Sequence, residues 1–441
     1  MFQKNSLIRG TFVLTVTGIL TRLLGFYYRI YLSHTFGEEG VGLYQLIFPV
    51  YALCFSLTAA GIQAAVSRYV ARANASRDTK KSTLYLLTGM SLSFTLSLLC
   101  MVLLQHCSPF LAAHFIGDSR CAPLLCAMSY SFPFAAVHSC LCGYYLGLKR
   151  TRVPAVSQFI EQTARIACVL LLCQMAVKEG RAPAITFAVL GLVCGEIISS
   201  LYSLHFFLRE QHQSHSASVS CRGAVGVLGK LITLSVPLTI NRILLNLLQS
   251  IEAVSIPHSL QQYGLSVSDA LSMYGVLTGM ALPCILFPSA VTNSMASMLL
   301  PSVAELQTQK DRRPLTSLIT KVSAFCLLIG CLCCFAFLLG GSFIGTHIFH
   351  STLSGTFIQT LAWMCPFLYL NTALTSILNG LGKTGTTLLI NLSSLTLRIL
   401  SVFLIIPQLG MRGYLYGLLA SQLLVTVCCF LVIGKSMDKI G

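Results

Sequence analysis

Apolar stretches of about twenty residues, the length of a bilayer-spanning helix, recur along the whole chain. The short segments between them hold most of its charge. Backbone polar groups have no water to bond inside a bilayer, so spans of this kind fold as helices. Punctuation by charge, Gly and Pro predicts spans near 7–32, 42–66, 83–105, 122–147, 154–176, 183–208, 229–256, 269–298, 316–340, 357–379, 384–406 and 413–434. Composition agrees: soluble domains carry about 25% charged residues, whereas these 441 residues are 10% charged and 55% hydrophobic. The expected fold class is an all-α integral membrane protein of about twelve transmembrane helices. No small-residue cleavage site follows the first apolar run, which therefore reads as a retained helix.

The charge balance is 29 Lys+Arg against 13 Asp+Glu, a net +16. No compact basic domain with interleaved aromatics is present to bind nucleic acid, so the excess needs another reason. Most of it is topological. Twenty basic residues, among them Lys80, Lys81, Lys149, Arg150, Arg312, Arg313 and Lys383, fall in loops on one side. Only Arg120, Lys178, Arg181 and Arg412 fall on the other. The bias alternates through all twelve spans and predicts cytoplasmic termini in a bacterial inner membrane. Of the 19 cysteines most lie within apolar runs, where they act as small core residues. The Cys331, Cys333 and Cys334 cluster lacks a neighbouring His or carboxylate, so no metal site is assigned, whereas Cys107 and Cys121 flank an external loop in reach of a disulfide.

The two halves resemble each other. A shift of 233 residues superposes Pro133-Phe134 on Pro366-Phe367, Gly147-Leu148 on Gly380-Leu381, Thr151 on Thr384 and Arg165-Ile166 on Arg398-Ile399. Six helices per half is an even number, so the repeats run parallel. The polar stretch Gln211–Gly226 then links two pseudo-symmetric six-helix bundles, 1–215 and 216–441, around a central cavity.

Five arginines remain inside the spans: Arg22, Arg29, Arg165, Arg242 and Arg398. Each costs at least about 2.5 kcal/mol at mid-bilayer and so needs a partner, a cavity or a route to the interface. Arg22 and Arg29 share a helix face. Arg242 with Asn246 and Gln249 forms a polar stripe on the seventh span, and Asn391, Ser394 and Arg398 form one on the eleventh. Arg29 stands near a helix end and is also placed to snorkel. Arg165 has Glu161 four residues before it, the spacing of a helical ion pair, while Glu196 and Glu252 are free to neutralise other arginines or to carry a coupling proton or sodium ion. A cavity richer in Arg than in carboxylate prefers an anion, and the guanidinium fork suits phosphate. The substrate-binding residues expected are therefore Arg22, Arg29, Arg242, Arg398, Asn246 and Gln249. Glu161, Arg165, Glu196 and Glu252 are expected as ion pairs or coupling groups, and Pro49, Pro133, Pro283 and Pro366 as hinges. No Walker A loop, catalytic triad or metal-ligand helix appears, so neither direct ATP drive, a cofactor nor enzymatic activity is expected.

Several stretches carry a family resemblance: Thr21-Arg22-Leu23-Leu24-Gly25-Phe26, Gly40-Val41-Gly42-Leu43-Tyr44 with Ile47-Phe48-Pro49, Ser157-Gln158-Phe159-Ile160-Glu161-Gln162, Thr278-Gly279-Met280-Ala281-Leu282-Pro283 and Asn379-Gly380-Leu381-Gly382-Lys383. Together they resemble the polysaccharide-transporter branch of the multidrug/oligosaccharidyl-lipid/polysaccharide exporter superfamily. The resemblance implies a rocking flippase that moves an undecaprenyl-linked saccharide to the outer leaflet. It also implies a role in cell-wall or spore-cortex synthesis, beside cell-wall synthesis enzymes. Arg22 occupies the family's first-helix arginine position, and Arg242 is a seventh-helix arginine of the cationic-cavity type. Two departures stand out. Many relatives have fourteen helices, against twelve here, and the vegetative flippases carry an acid near the outer end of helix one, where this chain has Arg29. The alternative expectations are a cation-coupled multidrug exporter, disfavoured because residues 7–32 contain no Asp or Glu, and a membrane glycosyltransferase, disfavoured by the short external loops.

Overall fold

The computed structural model describes residues 2–76, 78–213, 224–308 and 312–437. Much of the polar linker, including His215 and Arg222, therefore lies outside the described residues, as do Arg77, Lys310 and Lys439. All regular elements among the described residues are helical. In chain order these are α1 (Phe2–Leu46), α2 (Phe48–Phe55), α3 (Gly61–Ala75), α4 (Thr79–Phe110), α5 (Cys121–Ser129), α6 (Phe132–Gly147), α7 (Arg152–Lys178), α8 (Thr186–Gln213) and α9 (Ala224–Gln262). There follow α10 (Val267–Gly275), α11 (Leu282–Leu286), α12 (Ser289–Thr308), α13 (Arg312–Phe343), α14 (Thr352–Ala362), α15 (Cys365–Gly380), α16 (Thr384–Leu404), α17 (Ile406–Leu409) and α18 (Met411–Met437). Short π-helical stretches occupy Ser56–Ala60, Leu111–Ile116, Val276–Ala281 and Ile344–Ile348. Length and hydropathy give nine spans among the described residues, or eleven when α5–α6 and α14–α15 each count as one. The first run, Thr17–Ala75, is 59 residues long and breaks at Gly37 (φ 68°). At 1.5 Å per residue it is long enough for two passes, which brings the count to twelve. The sequence reading placed a loop over 33–41. The structure continues the helix up to Gly37, where a positive φ that glycine adopts without steric cost redirects the chain.

Two compact units are present, and their limits differ from the expected 1–215 and 216–441. One unit holds Met1–Tyr28 with Leu43–Ser250, the other Arg29–Gly42 with Ile251–Gly441. The long helices α1 and α9 are the reason, since Arg29–Gly42 of α1 and the turns of α9 from Ile251 belong to the second unit.

In the first unit the core gathers Ile62, Val66 and Val70 of α3, Leu86 of α4, Leu141 and Tyr145 of α6, Phe207 of α8 and Leu231 of α9. Helix α8 lies close on α7 because Gly191 and Gly195 carry no side chain. A Cβ on Gly191 would sit 2.9 Å from the Arg165 carbonyl, and one on Gly195 2.8 Å from that of Glu161. This is the small-residue spacing that lets membrane helices approach backbone to backbone. Helix α4 begins at an Asp78 cap, whose carboxylate accepts from Lys81 N at 3.0 Å. That bond and the Lys81 ammonium hold the Asp78 carboxyl below the usual carboxylate range.

The second unit has its own core, built from Val303, Leu315, Cys326, Leu374, Ile377 and Cys429. Gly413 and Gly417 of α18 repeat the four-residue spacing, and a Cβ on Gly413 would meet the Ile405 carbonyl at 2.9 Å. Large apolar side chains on α13, Leu328, Leu332, Phe335 and Leu339, are exposed, as a lipid-facing stripe requires.

The duplication at a shift of 233 is deeper in the backbone than in the sequence. Helices α4 and α13 begin and end in register, the π stretches after them begin in register, and the ends of α5 and α14 and both limits of α6 and α15 coincide. Positive φ angles match as well: Lys149 (φ 60°) falls on Gly382 (φ 74°), and Gly117 (φ 83°) on His350 (φ 54°). The bend between α5 and α6 is 48°, and that between α14 and α15 is 55°. Pro283 stands at the start of α11, which continues directly from the π stretch Val276–Ala281, whereas Pro49, Pro133 and Pro366 each stand in the first turn of a helix that follows a break. There the missing N–H leaves no ladder bond unmade. Cys107 and Cys121, which flank the external loop, are both free thiols, the first exposed and the second buried, so no disulfide joins them.

Candidate functional site

The polar residues predicted inside the membrane sort into three kinds of environment. The first is a buried cluster in the first unit, where α2, α6, α7 and α8 meet. The Gly195 contact with α7 brings Glu196 of α8 beside Glu161 and Arg165 of α7. Arg165 Nη2 bonds Glu161 Oε1 at 2.5 Å, the i,i+4 pair expected from the sequence. Tyr51 of α2 donates to Glu196 Oε1 at 3.1 Å, and its ring stacks on Phe132 at 5.5 Å. The sequence reading did not include His138 of α6, which completes the cluster. Its ligand atom and those of Glu161 and Glu196 lie within 4.8 Å of one another. A histidine on an apolar helix with no local partner in sequence gave no signal. Pairing would have emerged only by asking what sits across from Ser157 once α6 and α7 are packed.

The hydrogen-bond directions around His138 are informative. Ser157 Oγ donates to Pro154 O at 2.9 Å, so it accepts from His138 Nε2 at 3.0 Å. The other ring nitrogen, Nδ1, faces Glu196 Oε2 at 3.6 Å. That oxygen is buried with no hydrogen-bond partner among the described residues. Ser199 Oγ, 3.4 Å from Nδ1, lies 3.2 Å from the Glu196 carbonyl. Two carboxylates and one guanidinium leave the cluster one positive charge short, with the His138 ring the nearest further group able to carry one. Three ligand-type side chains at this spacing also suit a small cation, but hard cations such as sodium prefer all-oxygen shells, and Arg165 already brings a positive charge.

The second kind is an arginine whose charge is already used. Arg398 of α16 bonds Glu252 Oε1 through Nε at 2.7 Å, and Tyr414 of α18 donates to the same oxygen at 2.7 Å. Arg398 was expected to bind substrate; its charge is neutralised by Glu252 instead. Arg165 and Arg398, matched in the two halves, are thus each paired with an acid, half-buried Glu161 and buried Glu252, though the acids come from non-equivalent positions. Arg29 directs Nη1 toward the Thr278 and Gly279 carbonyls, both at 3.4 Å. Those carbonyls belong to the π stretch Val276–Ala281, and the guanidinium supplies donors there. Asn246, also expected at the substrate site, donates to Ala52 O at 3.2 Å and Ser56 Oγ at 2.6 Å. It holds α9 against α2 within the first unit.

The third kind is open. Arg22, Arg242 and Gln249 are exposed, and neither arginine has a hydrogen-bond or ion-pair partner among the described residues. Both belong to the first unit and to candidate membrane spans.

Comparison with known proteins fits these features. The chain is 28% identical over 437 residues to stage V sporulation protein B of Bacillus subtilis, covering 98% of this chain and 84% of that protein. It is 24% identical over 408 residues to the lipid II flippase MurJ of the same organism, covering 86% and 74%. Among solved structures, the inward closed conformation of a lipid II flippase MurJ matches with TM-score 0.73 at 12% identity, over 97% of this chain and 90% of that one. An inward-facing multidrug resistance MATE transporter matches with TM-score 0.71 at 13% identity, over 96% and 95%. Such identities establish the shared helical transporter fold and nothing finer. The family profile described as polysaccharide biosynthesis protein matches residues 7–307, and this multi-pass membrane protein belongs to that family.

Proposed function

We propose that the chain is a flippase, not an enzyme, that carries an undecaprenyl-linked saccharide from the inner to the outer leaflet of a bacterial cytoplasmic membrane. The observation that carries this reading is the pair of exposed, unneutralised arginines, Arg22 and Arg242. A guanidinium at bilayer depth without a carboxylate faces water or an anion, and a pyrophosphate-linked lipid presents an anion that two guanidinium forks can grip. Kinship with a protein named as a lipid II flippase supports the same substrate class, a peptidoglycan precursor or a polysaccharide repeat unit. The matched bends at Pro133 and Pro366 are the hinges of alternating access in this reading, and both termini are cytoplasmic by the positive-inside bias. The His138–Glu196 pair is the coupling element, exchanging one proton per cycle.

The test is reconstitution into proteoliposomes with a fluorescent lipid-pyrophosphate disaccharide. Accessibility to a membrane-impermeant quencher on the far side should rise with the wild-type chain and not with Arg22→Ala or Arg242→Ala. Extrusion of a cationic dye with no movement of the lipid would replace this reading with that of a multidrug exporter, for which the buried acids of the first unit would serve as the cation site.

A further inference from the structure

A separate cavity of about 340 Å³ lies in the first unit, at the ends of α3, α4, α6 and α8. That volume falls in the range of small-molecule sites. Its wall is unlike a lipid-facing surface. Ser82 and Thr83 of α4 line it and are buried, Gln211 of α8 donates to Thr83 Oγ1 at 3.3 Å, and Tyr144 presents its ring, edge-on to Phe207 at 5.7 Å. Its one acid, Glu210, is bonded to Arg150 at 2.9 Å and accepts from Tyr145 at 3.2 Å. Lys81, next in sequence to Ser82, is paired with Asp78 at 3.1 Å. The lining is therefore rich in hydroxyl and amide groups but electrically balanced.

Each class of ligand can be weighed against that wall. The buried hydroxyls are already bonded, Ser82 to the Asp78 carbonyl and Thr83 to Gln211, but an apolar molecule would strip water from the exposed Asn74 amide and Thr79 hydroxyl and return no hydrogen bond. An anion would meet the Glu210 carboxylate, and a cation would meet Arg150, with neither gaining a free counter-charge. A neutral polyol satisfies both conditions. Each of its hydroxyls donates and accepts, as the Ser, Thr, Asn and Gln side chains require, and its C–H face can lie on an aromatic ring. We infer that this cavity binds a neutral polyhydroxylated group of the glycosyl class. The inference rests on the flippase reading only for the source of that group, which is either the sugar of the lipid-linked substrate or a free saccharide on the same side.

The experiment uses the full chain in lipid nanodiscs and saturation-transfer NMR with N-acetylglucosamine as the probe. Saturable binding is expected, insensitive to inorganic phosphate. It should weaken at least tenfold in Asn74→Trp, which places an indole at the exposed mouth, and several-fold in Thr79→Val, which removes one exposed hydroxyl and keeps the shape. Because both positions are exposed, an unchanged size-exclusion profile is expected for each variant. Absence of saturable binding, equal binding in Asn74→Trp, or displacement by phosphate overturns the inference. Competition by a lipid-pyrophosphate disaccharide identifies the substrate's sugar as the occupant, and its failure identifies a soluble saccharide. If N-acetylglucosamine binds while the proteoliposomes move no lipid, the cavity stands and the flippase reading falls.

Discussion

Arg398 and Glu252 offer the sharpest test of whether an intramembrane arginine is a lock or a ligand. The Glu252 side chain is 4% exposed and that of Arg398 28%. Replacing Arg398 by Met strands a buried carboxylate whose remaining hydrogen bond comes from Tyr414. Breaking a buried pair by removing one partner costs about 3–5 kcal/mol. The partial exposure of Arg398 puts the figure near the lower end, about 3 kcal/mol, or roughly a hundredfold in the folding equilibrium at about 1.4 kcal/mol per factor of ten. Glu252→Gln strands the cation instead and should cost a similar amount. The double variant Glu252→Gln/Arg398→Met removes both charges together. Because removing both charges of a buried pair leaves no uncompensated charge behind, it should recover at least half of either single loss. Reversible unfolding in mixed micelles, followed by tryptophan fluorescence at Trp363 or by circular dichroism, gives the four corners of the cycle. Transport in proteoliposomes gives a second reading: a lock predicts that the double variant still moves lipid, and a ligand arginine predicts that it does not. Single variants within about 0.5 kcal/mol of the wild type, or strictly additive losses, would refute the pairing argument.

Other outcomes follow from the same structure. Arg22→Ala and Arg242→Ala should insert normally yet fail to rescue a flippase-depleted strain, and normal rescue by both would remove the anion site. Lys149→Gly should stabilise the chain by about 0.5–1 kcal/mol, because a non-glycine left-handed residue costs about 1–2 kcal/mol and glycine returns about 0.4–1 through the unfolded state; a lower melting temperature would count against it. His138→Gln and Glu196→Gln should each flatten the response of transport to an imposed pH gradient while leaving lipid binding intact, and an unaltered gradient response would move coupling elsewhere. Gly195→Leu should disrupt the close approach of α7 and α8 and lower expression, whereas Gly226→Leu, with nothing within 4 Å of the added carbon, should not. In the folded protein Cys107 should label with a maleimide and Cys121 should not, and protection of Cys107 that a reductant reverses would show a disulfide after all.

The helical class, the span count and the matched breaks at Pro133 and Pro366 were legible in the sequence because each depends on local chemistry. Apolar length sets a span, and proline cannot complete a ladder wherever it stands. Even the pairing of Arg165 with Glu161 was readable, since both sit on one helix four residues apart. Residues far apart in the chain gave no such signal. Asn246 reads as one member of a polar stripe with Arg242 and Gln249, yet four residues along a helix turn it far enough to meet Ser56 while its neighbours stay open. Arg398 had no carboxylate on its own helix, and its partner Glu252 stands 146 positions away. The compact units were hidden for the same reason. The limits of a unit follow contacts, and nothing in the composition of α1 marks Tyr28 as the place where those contacts change.

The charge count that first suggested an anionic substrate is sharpened by these pairings. Five membrane arginines against three acids leave a surplus of two, but a surplus does not say which arginines carry it. Within the described residues Glu161 bonds Arg165, Glu252 bonds Arg398, and Arg29 directs its guanidinium at backbone carbonyls. The arginines with neither an acid nor a hydrogen-bond partner among the described residues are then Arg22 and Arg242, both in the first unit. Glu196 completes no arginine pair and faces His138 instead, which is why the proposed function gives this pair the coupling role. In the proposed function, anion recognition and charge exchange fall to different residues of one unit. For that reason, neutralising Glu196 should alter the driving of transport without altering the grip on phosphate, and substituting Arg22 should do the reverse.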